Sequence, residues 1–270
     1  MTAERSISVA PVVDAVRNRA GAASLGYQAA LVDVNCALVA LIPAHPDWTA
    51  TADLTLHGVD PLTRGPTVVD SRLVRAGRNI ITVSVTVADG RGFDPFAGDD
   101  SAAAVGLAGD ALVTAARGLV TFARIPRGAS SSSTSFDPRS VIGQRRSLSP
   151  ALDPPVIGLA ERLGLRVVDA DRGCVELSIS DYVRNSFGAI NGGVVAMVVQ
   201  AAAEAALEEF VATDLQVHYL SQAQDGRART VTAILRRGDE HAVCLVDVLT
   251  ADEAGQRLAQ ASVTLQRVAD

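Results

Sequence analysis

Lysine is absent from the 270 residues: all 24 basic side chains are arginine, and against 30 acidic residues they leave a net charge of -6. A chain of that balance lacks the basic footprint of nucleic-acid binders, so a nucleic-acid partner is set aside. Cysteine is scarce too. Cys36, Cys174 and Cys244 are odd in number, far apart and set in apolar sequence. That suits neither a disulfide framework nor a metal cluster, and reads as small core residues of a reduced compartment. No hydrophobic signal region follows Met1, and the two most apolar runs are too short and interrupted to span a bilayer. The expectation is a soluble, cytoplasmic protein with no membrane partner. Apolar material is plentiful, at 48% of the residues, enough for one large or two ordinary cores.

The most informative stretch reads Asn185-Ser-Phe-Gly188-Ala-Ile-Asn191-Gly192-Gly193, then an apolar run, then Gln200. It predicts a glycine-rich turn feeding a buried helix. Unpaired N–H groups at the positive end of such a helix can hold a carbonyl oxygen that is acquiring negative charge. A carboxylate is expected close by, yet the helix carries Gln200 where one would stand.

An earlier segment repeats the pattern. Asp14 to Gly26 aligns with Asp181 to Gly193 at a constant offset of 167, sharing Asp14, Val16, Arg17, Asn18, Gly21 and Gly26 with their counterparts. Each copy then enters a run that is apolar on every side, Tyr27 to Leu41 and Val194 to Leu207, which predicts two buried helices. Matching strands follow, Asp53-Leu-Thr-Leu-His57 and Asp214-Leu-Gln-Val-His218. Further alternating strands are expected at 67–76, 79–88 and 112–125 in the first copy, and at 229–237, 241–250 and 257–267 in the second. The chain is therefore a duplicated α+β domain and not a solenoid. The first domain covers 1–126, with an insertion at about 90–110, and the second covers 153–270. A Ser/Pro-rich linker at 127–152, expected to bury little, joins them. Asp153 as N-cap, Pro154, Pro155 and a closing Gly164 predict a short helix that opens the second copy.

A buried helix against an antiparallel sheet, entered through Asn-x-x-Gly-x-x-x-Gly-Gly, resembles the hotdog-fold acyl-CoA thioesterases of the phenylacetate-degradation type. The family pattern places His before the glycine pair and an acid seven residues after the second glycine. A Ser or Thr follows on the next strand, two residues before an Asp. The resemblance implies two fused hotdog domains that hydrolyse an acyl-CoA without cofactor or metal. It also implies that each active site lies between two units, one giving an Asn side chain and a glycine N–H, the other an acid and a hydroxyl. Carried over residue by residue, the catalytic set is Asp33 and Thr51 from the first copy with Asn185 and Gly192 from the second, and Gly193 and Asn191 bind substrate. The reciprocal set, Asn18 and Leu25 against Gln200 and Ala212, is a degenerate second site without an acid. Ser24 and Asn191 replace the motif histidine. The two halves are expected to mimic a hotdog dimer within one chain, and two chains to associate as a homo-oligomer.

Asp33 lies within the apolar run Ala29 to Ala37, where a charge is costly to bury without a purpose. It would activate a water or attack the thioester directly, and the sequence does not choose. Glu204, one turn beyond Gln200, is either a substitute acid or the helix end emerging toward Glu208 and Glu209. His57 and His218 read as satisfied strand histidines. The pairs Arg227/Arg229 and Arg236/Arg237 read as CoA phosphate ligands or solvated strand ends. A non-hydrolytic acyl-CoA-binding protein is the alternative function. A hydratase is weaker, for want of an Asp/His or Glu/His pair near the helix.

Overall fold

A helix that is apolar on every side needs partners all round it, and both long helices find them in the same place. Helix α1 (Leu25–Ala44) and helix α3 (Gly192–Ala206) pack on each other and against one sheet, in a computed structural model that describes residues 1–92, 112–126, 137–144 and 158–268. The sheet has eleven strands: β1 (Arg5–Ala10), β2 (Trp48–Gly58), β3 (Thr67–Ala76), β4 (Ile80–Asp89), β5 (Val113–Ile125), β6 (Leu165–Asp169), β7 (Cys174–Ser178), β8 (Phe210–Tyr219), β9 (Arg227–Arg237), β10 (His241–Thr250) and β11 (Arg257–Arg267). Their order is β1-β3-β4-β5-β2-β8-β11-β10-β9-β7-β6, antiparallel throughout. The halves meet where β2 pairs with β8, Leu56 opposite Leu215 and Leu54 opposite Val217, so one ladder runs through both copies. These four side chains are buried together with Val32, Cys36 and Val39 of α1 in a continuous core.

Four expectations need correction. Helix α1 runs to Ala44 and is, by length and composition, apolar enough to cross a bilayer. Its apolarity is accounted for by burial against the sheet and α3. The linker is not uniformly bare. Residues 137–144 are held by a 3-10 turn, Pro138–Val141, with Pro138 and Val141 buried and Gly143 N–H bonded to the Met1 carbonyl. The short helix opening the second copy, α2 (Leu159–Leu163), takes Gly158 as its N-cap and closes on Gly164 in the left-handed region at φ 76°. Asp153, Pro154 and Pro155, like most of the expected insertion, lie outside the described residues. Finally, β1, β6 and β7 extend the sheet at its two ends without having been expected.

Candidate functional site

Parity explains how Thr51 comes to face the helices. Leu54 and Leu56 point into the core, and a residue three before Leu54 on a regular strand would point out. A bulge between Thr51 and Asp53 in the β2–β5 ladder supplies the missing step and turns Thr51 inward. Strand β8 carries the matching bulge, between Ala212 and Asp214.

Asp33 sits in the middle of α1 at 3% exposure. The Thr51 hydroxyl donates to its Oδ1 at 2.7 Å. From the other half, the Gly193 N–H donates to its Oδ2 at 3.1 Å. Burial dominates these bonds and pushes the carboxyl pKa up; the Thr51 and Gly193 hydrogen bonds pull in the opposite direction. The α3 N-terminus abuts the carboxylate so closely that a Cβ on Gly192 would come within 3.0 and 3.1 Å of its two oxygens. The Gly192 N–H has no acceptor among the described residues.

The loop before α3 is pinned by Asn185, whose Oδ1 accepts from Phe187 N–H at 2.9 Å and Ala189 N–H at 3.1 Å. With its oxygen spent on that turn, the side chain keeps its amide N–H groups as donors. Asn185, Gly192, Asp33 and Thr51 all line one cavity of about 270 Å³ between the halves. Asn191 lines it too, but its Oδ1 caps α3, accepting from Gly193 N–H at 2.9 Å and Val194 N–H at 3.4 Å. Gly193, expected to bind substrate, is not among the cavity-lining residues. Its N–H is turned onto Asp33, and its bare Cα lets α3 meet α1, since a Cβ there would lie 2.5 Å from Ala30 Cα.

Among the lining residues that escaped the sequence reading are Tyr219, Trp48 and Phe187. The Tyr219 hydroxyl donates to the Gly192 carbonyl at 2.8 Å, and burial, with Asp33 and Asp53 nearby, holds its pKa well above the usual range. Trp48 and Phe187, one from each half, meet edge to face with ring centroids 5.7 Å apart. A signal for Tyr219 existed: its counterpart in the first copy is Gly58, one of the sharpest differences between the copies.

The reciprocal arrangement is built differently. Asn18 makes the same turn as Asn185, its Oδ1 accepting from Ala20 and Ala22 N–H. Gln200 occupies the acid's place and accepts the Gly26 N–H as Asp33 accepts that of Gly193. Its Nε2 donates to Glu204 at 2.7 Å, and Ala212 N–H donates to the same carboxylate at 2.9 Å. Glu204 is therefore folded inward and does not emerge toward Glu208 and Glu209. Leu25, 4% exposed, stands where Gly192 stands in the other half. The histidines do have acids after all, drawn from across the seam: His57 pairs with Asp214 at 3.0 Å and His218 with Asp53 at 2.7 Å. The arginine pairs lie away from the cavity, and Arg227 and Arg229 close on Glu176.

Comparison with known proteins bears on this geometry. The model of the acyl-CoA thioesterase N-terminal domain family matches residues 183–266, the span from the Asn185 loop to the last strand. None of the curated proteins matches the chain. Among solved structures, the tesB protein of Mycobacterium avium subspecies paratuberculosis superposes with a TM-score of 0.57 at 12% identity, over 98% of this chain and 93% of that one. The 12:0-ACP thioesterase of Umbellularia californica gives 0.59 at 11% identity, over 97% and 94%. A conserved hot dog fold protein from Alicyclobacillus acidocaldarius gives 0.56 at 14%, over 99% and 94%. The chain is a double hotdog. Whole-length coverage by such neighbours fits two hotdog domains fused in one polypeptide, and the match over the second hotdog points to thioester hydrolysis.

Proposed function

We propose that this double hotdog hydrolyses acyl-CoA thioesters to the free acid and CoA at the cavity between its halves. One observation carries the reading: among the described residues the sole charged side chain lining that cavity, Asp33 of the first hotdog, is buried against the N-terminus of α3 in the second. In this reading the thioester oxygen lies between the Asn185 amide and the Gly192 N–H, donors of a kind whose loss commonly costs about 100-fold or more in rate. Asp33 takes a proton from a water or adds to the carbonyl itself, and Thr51 keeps its carboxylate aimed. The Asn-x-x-Gly-x-x-x-Gly-Gly loop with the Asp33–Thr51 pair supports placing the chain with the phenylacetate-type thioesterases.

Release of free thiol from a panel of acyl-CoAs tests this. Wild type should release thiol, and Gln200→Ala should stay within about threefold of it under conditions where it is folded, since among the described residues the Gln200 amide hydrogen-bonds to Gly26 and Glu204, away from the cavity. Binding without thiol release would make the protein an acyl-CoA carrier. The pH profile is a second check. Asp33 must be ionised to act, and burial raises its pKa. The rate should therefore rise with pH through a midpoint above the ordinary carboxylate range and level off beyond it. A flat profile across that range would remove Asp33 from the mechanism.

A further inference from the structure

The duplication supplies an internal comparison for the space an acyl group would occupy. Asp33, Ala37 and Leu41 are four apart on α1, so they form one stripe. At 1.5 Å per residue, Ala37 lies about 6 Å and Leu41 about 12 Å along the helix from the acid. All three line the cavity, with Trp48 and Phe187 also in its wall. Apart from Asp33, no charged residue lines it among the described residues.

The same helix position in the second hotdog, at the offset of 167, is Glu204. Its side chain reaches the counterparts of both Asp33 and Thr51, accepting from Gln200 Nε2 at 2.7 Å and from Ala212 N–H at 2.9 Å. A side chain of that length, starting from that position, thus crosses the floor of the site. In the second hotdog it fills the space with protein; in the first only the methyl of Ala37 projects.

We propose that Ala37 is the residue that sets acyl-group size, keeping open a lane along α1 for an uncharged acyl group of up to about nine non-hydrogen atoms. This rests on the hydrolytic reading given above. The size follows from the 270 Å³ of the cavity and a share of about 30 Å³ per water-sized group. Octanoyl, with eight carbons and the carbonyl oxygen, is about the limit on that estimate. The exclusion of charged acyl groups follows from the lining, whose one charge among the described residues, Asp33, has the same sign as a terminal carboxylate.

The experiment measures kcat/KM for straight-chain acyl-CoAs from acetyl to hexadecanoyl, with succinyl-CoA beside butyryl-CoA, on wild type, Ala37→Val and Ala37→Leu. The smaller variant guards against a misfolded larger one. Trp48, the single tryptophan, lies in the cavity wall and gives a fluorescence readout of binding that does not need turnover. Wild type should peak near octanoyl, fall beyond it, and disfavour succinyl against butyryl. Ala37→Leu should lose about 100-fold on octanoyl-CoA while staying within a few-fold on acetyl-CoA, with Ala37→Val between them. The octanoyl-CoA fluorescence titration should weaken in the same order. Unchanged length profiles in both variants, or hexadecanoyl-CoA cleaved as well as octanoyl-CoA by wild type, would overturn the assignment. Length-dependent binding that responds to Ala37 without any thiol release would instead overturn hydrolysis and leave the size determinant standing.

Discussion

Asp33→Asn is expected to slow thiol release by about 100- to 10,000-fold, the usual worth of a positioned base, and at the same time to stabilise the fold. The stabilisation follows from the environment. Asp33 is buried with two hydrogen-bond donors and, among the described residues, no cation beside it, and its pKa is raised. Asn keeps an acceptor for the Gly193 N–H and can donate to Thr51, without a charge to desolvate. The second hotdog already uses a neutral amide in this way, Gln200 facing Gly26 and Glu204. A gain on the order of 1 kcal/mol corresponds to a rise of about 2–4 °C in Tm for a chain in this size range.

The sign of its pH dependence is fixed. A carboxyl whose folded pKa is raised contributes its full stability below the unfolded pKa, and that contribution is lost as pH rises through the folded value. Asn has nothing to lose over that window. The advantage of Asp33→Asn should therefore be absent in acid, grow through the window and be constant above it. Glu204 has the same direction of shift, but it is present in both proteins and cancels in the difference. Urea midpoints of both proteins across the pH range measure this. A difference independent of pH would mean that Asp33 is not the buried titrating group.

Gly193→Ala is expected to damage both the fold and the site. Its Cβ would lie 2.5 Å from Ala30 Cα and 3.2 Å from the Ala30 carbonyl oxygen, both backbone, so α1 and α3 would have to part. Overpacking of this kind costs about 1–3 kcal/mol and sometimes more, and the bond from Gly193 N–H to Asp33 moves with the helix. Gly192→Ala is the informative control. Its Cβ would press at 3.0–3.1 Å on the ends of the Asp33 and Thr51 side chains, which can yield. Stability near wild type with reduced thiol release is expected for Gly192→Ala, and loss of both for Gly193→Ala. Denaturant midpoints and initial rates, measured on the same preparations, separate the two.

Much of the architecture was legible because apolar periodicity reports burial. The two helices and the strands whose inner faces are Val and Leu follow from it directly. Strand β1 did not, for a physical reason: its buried face carries Ser6, and the adjacent Ser8 hydroxyl and Ser6 carbonyl bond the buried side chain of Asn35. Polar groups satisfied by a polar partner break the hydrophobic alternation that the eye follows. At the site, the spacing of Asp33 and Thr51 from the motif could be read residue by residue. Tyr219, Trp48 and Phe187 could not, because what brings them together is the pairing of β2 with β8, a contact between residues more than 150 apart in sequence. Of the two readings of Glu204, the emerging helix end fails because its carboxylate accepts from Gln200 Nε2 and from the Ala212 N–H at the start of β8, bonds that helical periodicity does not report.

The β2–β8 ladder has one more consequence. In a pair of identical hotdogs every substitution is written twice, so a residue that spoils one site spoils its twin. Here the pair is a single polypeptide, and Leu25 and Gln200 can differ from Gly192 and Asp33. The reciprocal site can carry Leu25 and a closed Gln200–Glu204 pair at positions where the cavity site keeps the bare Gly192 and the buried Asp33. Fusion thus lets the two composite sites of one chain carry different residues, a divergence closed to a symmetric dimer.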